Sequence, residues 1–129
     1  MASLAACGET FVDETAPTTL PDDVVETTTT TEPVDPDRPI DETLDDLAAE
    51  MRALPEQIVQ DDGQAATIAR IEALWRVAEP QIRAVDPDDL FNFTQAIELA
   101  RSGVDRRRPA DASKGSKIMD DVVDAYLDR

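Results

Sequence analysis

Histidine is absent from this 129-residue chain, and cysteine and aromatic residues are scarce. Without histidine, the chain lacks the most common general base, a frequent metal ligand and the usual pH-sensitive side chain. The single cysteine, Cys7, cannot form a disulfide within the chain or supply a cysteine-rich zinc site. Aromatic residues make up 4% of the sequence, too few for a surface that stacks nucleic-acid bases.

Basic residues are also in short supply, because 29 acidic side chains face only 12 basic ones. The resulting formal net charge of −17 repels phosphate backbones, so we expect no nucleic-acid partner. No apolar run approaches the roughly 18 residues of a transmembrane helix. The length suits one modest domain.

The only cysteine lies near the N-terminus, in the sequence Leu4-Ala5-Ala6-Cys7. This sequence resembles the lipobox of bacterial lipoproteins, in which a leucine and two small residues precede the cysteine. The resemblance implies that residues 1–6 are the remnant of a signal peptide that is removed, leaving Cys7 as the lipidated first residue. Because a signal peptide needs a basic region and about 7–15 apolar residues, this interpretation expects a start upstream of Met1. The alternative is that Cys7 is a free thiol.

Acylation of Cys7 would hold the protein on a lipid bilayer, with the rest of the chain facing the periplasm or the cell exterior. Stable anchoring takes more than one acyl chain, and a diacylated, N-acylated cysteine meets that condition. No cofactor is expected.

Residues 7–39 have the composition of a linker, with five prolines, many acidic residues and the threonine run Thr27–Thr31. Such a segment cannot bury enough apolar surface to offset its ordering entropy. We therefore predict a disordered N-terminal tether. Threonine with proline is also typical of O-glycosylated stalks, and an unmodified spacer is the alternative.

Residues 40–129 show apolar positions spaced alternately by three and four residues, as on one face of a helix. The spacing predicts an all-α fold, an antiparallel up-down four-helix bundle that follows the tether. Four successive helices are predicted, of which the fourth is short. Their apolar positions are Ile40, Leu44, Leu47, Met51, Leu54 and Ile58; Ile68, Ile71, Trp75, Ala78, Ile82 and Val85; Leu90, Phe93, Ile97, Ala100 and Val104; and Ile118, Val122 and Ala125, with Met119, Val123 and Tyr126 alongside.

Helix boundaries are indicated by short polar sequences. Residues 61–63 (Asp-Asp-Gly) separate the first two predicted helices. Asp86 is placed to cap the third helix, with Pro87 at its first position. Val85 and Leu90 have the spacing of a hydrophobic staple across that cap.

Three further prolines fall in or near the predicted helices. Pro109 marks the break between the third and fourth helices. Pro55 and Pro80 lie inside periodic stretches, where a proline removes a backbone hydrogen bond and should kink or split the helix.

Catalytic and metal-binding patterns are not found in the sequence. There is no Ser-His or Cys-His pair and no glycine-rich loop that could bind a phosphate, so we expect the protein to have no enzymatic activity. The helical glutamates lie off the apolar stripes and are expected to face solvent: Glu42, Glu50, Glu56, Glu72, Glu79 and Glu98. A carboxylate-only metal site is the alternative.

Five basic residues form a local exception in this acidic chain: Arg106, Arg107, Arg108, Lys114 and Lys117. We call this set the basic corner. One interpretation is a contact for an anion or an acidic protein partner, lipid headgroups included. The other is structural, because cations complement the negative end of a helix and pair with nearby acids. The acids closest in sequence are Asp105, Asp111 and Asp120.

A further resemblance depends on Trp75, Pro80 and the last predicted helix, which ends with residues 123–127 (Val-Asp-Ala-Tyr-Leu). Through these residues, the stretch from Leu74 to Tyr126 resembles the helical domains of imelysin-related periplasmic iron-uptake lipoproteins. No metal-site motif of that family is present, so the resemblance implies no site residues. Trp75 and Tyr126 lie in or beside the apolar pattern, which indicates core packing rather than ligand stacking.

These observations together predict a membrane-anchored extracytoplasmic lipoprotein with a noncatalytic helical binding or accessory module. One alternative is a periplasmic metal- or solute-handling protein that uses carboxylate ligands. Another is an accessory subunit of a membrane complex, docked through the basic corner.

Overall fold

The computed structural model of the protein describes residues 32–129. Helix accounts for 83% of these residues and none of them forms a strand, which confirms the predicted all-α class. The described elements are α1 (Ile40–Gln60), α2 (Gln64–Val85), a single 3₁₀ turn (Pro87–Asp89), α3 (Leu90–Asp105) and α4 (Pro109–Leu127). The predictions for the signal-peptide remnant, for Cys7 and for linker residues 7–31 lie outside the described residues.

The core is built from one apolar face of each helix. In α1, the predicted stripe from Leu44 to Ile58 is buried along its whole length. Phe93 lies at the centre, with its ring centroid 5.8 Å from that of Trp75 in a stacked arrangement. The edge-on Tyr126 ring is 6.1 Å away on the other side. Trp75 and Tyr126 are therefore core residues, as predicted.

Ion pairs and contacts show which helices are neighbours. Each helix contacts the next one along the chain, and α1 also contacts α4. Asp61, at the end of α1, lies 2.8 Å from Arg107, which follows the end of α3. Arg129, beyond the end of α4, lies 3.1 Å from Asp86, at the end of α2.

The break between α1 and α2 falls at the predicted residues 61–63. The backbone N–H of Asp62 donates to the carbonyl of Gln57 at 3.0 Å, which closes the last turn of α1. This closure needs left-handed backbone, and Asp61 has φ 57°. Gly63 has φ 88°, a conformation that glycine adopts without a steric penalty.

Asp86 caps the 3₁₀ turn that leads into α3, whereas Asp89, immediately before α3, makes no capping hydrogen bond with its side chain. The carboxylate of Asp86 accepts the backbone N–H of Asp88 at 3.1 Å, and Pro87 occupies the first turn. Val85 is 65% exposed, too much to serve as half of the predicted staple with Leu90.

Replacing Asp86 by alanine should lower the free energy of unfolding by about 1 kcal/mol, because an N-terminal N–H loses its acceptor. The exposed ion pair with Arg129 adds little to this loss. Urea denaturation would measure the change. Asp45→Ala, which removes an exposed carboxylate from α1, should change stability by less than about 0.5 kcal/mol. Equal losses in the two variants would contradict a capping role.

The two internal prolines do not split their helices. α1 continues for five residues beyond Pro55, and α2 continues for five residues beyond Pro80. In both helices the turn after the proline carries a buried residue, Ile58 in α1 and Ile82 in α2. Burial of these side chains offsets the roughly 3 kcal/mol that an internal proline costs.

The fourth helix differs from its prediction in length and in register. It begins at Pro109 and spans 19 residues, so it is longer than the 16-residue α3. The predicted Ile118 and Val122 are only half-buried, and Ala125 is exposed. The buried residues are Ala112, Gly115 and Ser116, together with Met119, Val123 and Tyr126, which the pattern placed alongside the main row. Half of these are small residues, which a hydrophobicity pattern does not reveal.

Residues 32–39, which we call the pre-helix segment, lie against the bundle although they fall within the predicted linker. Val34 is half-buried and packs on the core. Arg38 pairs with Asp46 of α1 at 2.9 Å. The backbone N–H of Asp37 donates to the carboxylate of Asp35 at 2.9 Å, which forms a turn. Contacts with the bundle therefore begin before residue 40, the predicted start of the bundle.

Candidate functional site

A groove with a volume of about 630 Å³ lies between the pre-helix segment and the outer face of α2. We call it the α2 groove. Its two walls come from separate parts of the chain, the proline-containing residues 32–36 and the middle of α2. The buried residues of α2, such as Ile71 and Leu74, belong to the core and are not part of the lining.

The lining of the α2 groove is mostly apolar. Ala69, Ala73 and Val77 are each four residues apart, so they lie in a row along one face of α2. The apolar lining residues include Val34, Pro36, Ala69, Ala73, Val77 and Pro80. This second stripe of α2 was not predicted from the sequence. The four-residue spacing of Ala69, Ala73 and Val77 was the available signal.

Three contacts hold the pre-helix segment in place beside α2. The Val34 side chain packs on the core. The guanidinium of Arg70 donates to the carbonyl of Glu32 at 3.4 Å, a long hydrogen bond. The Arg38 side chain, which is only 21% exposed, pairs with Asp46. These contacts maintain the second wall of the groove.

Arg76 is the exposed cation of the groove. Two glutamates are close to it along α2, but each pairs with a different arginine. Glu72 is 3.2 Å from Arg101 of α3, and Glu79 pairs with Arg83. Among residues 32–129, no carboxylate lies within 4.0 Å of the Arg76 guanidinium. The groove therefore combines an apolar lining with a guanidinium that has no carboxylate partner in the described chain.

The basic corner lies at the connection between α3 and α4. Arg107 has φ 53° in this turn, and its guanidinium lies 2.8 Å from Asp61. Arg108 pairs with Asp111 at 3.2 Å, one of the acids suggested by the sequence. Asp120, another of those acids, pairs with Arg52 instead, at 2.9 Å.

The remaining cations of the basic corner are Arg106, Lys114 and Lys117. All three are exposed, and none has an ion pair within the described chain. The basic corner thus contains two cations that pair with acids of the bundle and three that are exposed without an ion pair in residues 32–129.

Asp61 is the acid most affected by the basic corner. A hydrogen bond from the Gln64 amide, at 2.6 Å, is the main cause that lowers the pKa of Asp61 below its usual 3.8. The hydrogen bond and positive charge of Arg107 lower the pKa further.

Gln64→Ala and Arg107→Gln should each raise the pKa of Asp61 towards its usual value. Because folding lowers this pKa, the interaction stabilises the protein above the unfolded pKa and is lost as the pH falls through the folded pKa. Carboxyl-carbon NMR titration would measure the pKa in each variant. Because the Asp61–Arg107 pair is exposed, added salt should weaken it. An unchanged pKa of Asp61 in both variants would contradict the assigned causes of its shift.

The helical glutamates are solvent-accessible, as the sequence predicted. Glu50, Glu72 and Glu79 are half-buried, and the others are exposed. Within residues 32–129 there is no group of three or more acids and cysteines that could hold a metal ion.

None of the helices in the described range is long and apolar enough to cross a membrane. Comparison of the chain with protein-family models, curated proteins and solved structures gave no significant match. The resemblances to bacterial lipoproteins and to imelysin-related proteins therefore stay predictions.

Proposed function

We propose that this protein is a membrane-anchored extracytoplasmic lipoprotein whose helical bundle is a noncatalytic binding module. The α2 groove is the observation that carries the binding role. Its volume of about 630 Å³ falls within the roughly 300–1,000 Å³ range of small-molecule sites. The groove lies outside the core, so a ligand could enter it without opening the bundle.

The anchor in this proposal is Cys7, within Leu4-Ala5-Ala6-Cys7. Residues 8–31 would act as a disordered tether between the acylated cysteine and the pre-helix segment. As a flexible coil, these 24 residues would span about 25–30 Å on average. This distance would hold the bundle away from the lipid surface.

The bundle itself is proposed to have the antiparallel up-down arrangement. Short connections between successive helices favour it. The pairing of Asp61 with Arg107 supports it, because α1 and α3 should end at the same side of such a bundle. The pairing of Arg129 with Asp86 supports the same relation between α4 and α2.

Metabolic labelling with a palmitate analogue tests the anchor. We expect label and membrane partitioning in the natural protein, and loss of both in Cys7→Ser. Leu4→Asp keeps the thiol but changes the lipobox, so it should also lose the label, whereas Ser3→Ala should keep it. An unlabelled natural protein, or equal membrane partitioning of all forms, would overturn the anchor.

A second candidate function is an accessory subunit that docks on an acidic partner through the basic corner. The exposed Arg106, Lys114 and Lys117, without ion pairs in the described chain, favour it. Charge reversal of these three residues should abolish co-purification with a membrane complex, whereas Arg52→Glu on α1 should not. Unchanged recovery after the triple reversal would contradict this candidate.

A further inference from the structure

We infer that the α2 groove binds an aliphatic carboxylate with a single alkyl chain. The inference rests on the proposed role of the bundle as a binding module and names the ligand class of its groove. Two observations carry it, the mostly apolar lining and the position of Arg76.

The apolar lining suits a flexible alkyl chain. Ala69 and Ala73 have short side chains, so they leave space along α2, and Val34 and Pro36 supply the facing apolar wall. Arg76 lies seven residues from Ala69, a rise of about 10 Å along the helix. An extended chain of roughly eight carbons spans this length, at roughly 1.3 Å per carbon from tetrahedral C–C geometry.

The charged group of the ligand is selected by Arg76. Glu72 and Glu79, its neighbours along α2, pair with Arg101 and Arg83 instead. Glu32, the other carboxylate in the lining, forms no ion pair with Arg76 either. A guanidinium donates two parallel N–H bonds to a carboxylate, a geometry that a lysine could not reproduce. The ligand therefore places its carboxylate at Arg76 and its alkyl chain towards Ala69.

Calorimetry of the full chain with hexanoate, octanoate and decanoate tests the alkyl component. We expect saturable binding of one molecule, and a two- to fourfold increase in affinity for each added methylene, about fourfold being the limit for full burial. Amide NMR shifts should be concentrated in residues 32–36 and 69–81. Affinity that does not increase with chain length, or shifts spread over the whole bundle, would overturn the proposal.

Charge selection is tested with Arg76→Gln. This variant should bind octanoate about two- to fivefold more weakly, the range for an exposed ion pair. Its affinity for octyl glucoside, a neutral amphiphile with the same alkyl length, should not change. Arg52→Gln, which removes an exposed arginine from α1, is the matched control and should leave octanoate binding unchanged. Equal losses in the two variants would overturn the role of Arg76.

Ala73→Trp tests the groove by filling it and should reduce octanoate affinity more than tenfold. Circular dichroism would show whether this variant folds; if it does not, the chain-length series and the Arg76 variant decide the question. Failure of octanoate to bind while Cys7 is labelled by palmitate would overturn the ligand class alone. Binding of octanoate by a protein whose Cys7 carries no palmitate label would overturn the anchor and leave the groove assignment intact.

Discussion

Replacing Phe93 by alanine should lower the free energy of unfolding by about 3–5 kcal/mol. The Phe93 side chain is fully buried, and its ring contacts both Trp75 and Tyr126. Its loss removes the apolar contacts of a large ring and leaves a cavity among α2, α3 and α4. A domain of about 100 residues has only about 5–15 kcal/mol of stability, so the variant should unfold at much lower urea concentration.

Phe91 provides the matched control for this prediction. It lies two residues before Phe93 in the same helix, but 72% of its surface is exposed. Phe91→Ala should change the free energy of unfolding by less than about 0.5 kcal/mol. Similar urea midpoints for the two variants would contradict the position of Phe93 at the centre of the core.

The features that could be predicted from the sequence are those set by strong local patterns. The stripe of α1 is made of large aliphatic residues with charged neighbours, so only one face can be buried, and Leu44, Leu47 and Leu54 are buried as predicted. The cap at Asp86 was predicted for the same reason. Its carboxylate accepts a hydrogen bond from the backbone N–H of Asp88, only two residues further along the chain.

The register of α4 could not be predicted because two adjacent faces carry apolar residues. Ile118 and Val122 lie beside Met119 and Val123, and hydrophobicity alone does not choose between these rows. The choice is made by close approach to α3, which requires the small residue Gly115. Such a requirement depends on the partner helix and is absent from the local pattern.

The α2 groove was missed for a related reason. One of its walls is the pre-helix segment, whose prolines and acidic residues are typical of a linker. Only tertiary contacts, such as burial of Val34, place this segment beside α2. Within residues 32–129 Arg76 has no carboxylate partner, and this likewise depends on Arg101, a residue 29 positions away from Glu72.

Gly115→Leu should be strongly destabilising, by about 3 kcal/mol, at the upper end of the usual range for overpacking. A Cβ atom at Gly115 would lie 2.8 Å from the carbonyl oxygen of Ala96 and 3.0 Å from the Cβ of Leu99, both on α3. Neither contact is with the end of a flexible side chain, so α4 must move away from α3. Leucine is a better helix former than glycine by roughly 1 kcal/mol, which offsets only part of this loss.

Ser113→Leu separates packing from helix propensity. Ser113 is exposed on α4, two residues before Gly115, so leucine there should be neutral or slightly stabilising. Gly115→Ala should fall between the two, because one methyl group meets the same α3 atoms but can be accommodated by a smaller shift. Urea denaturation of the three variants would therefore rank them Ser113→Leu, Gly115→Ala and Gly115→Leu in order of decreasing stability. A Gly115→Leu variant as stable as Ser113→Leu would show that α3 and α4 are not in close contact at this position.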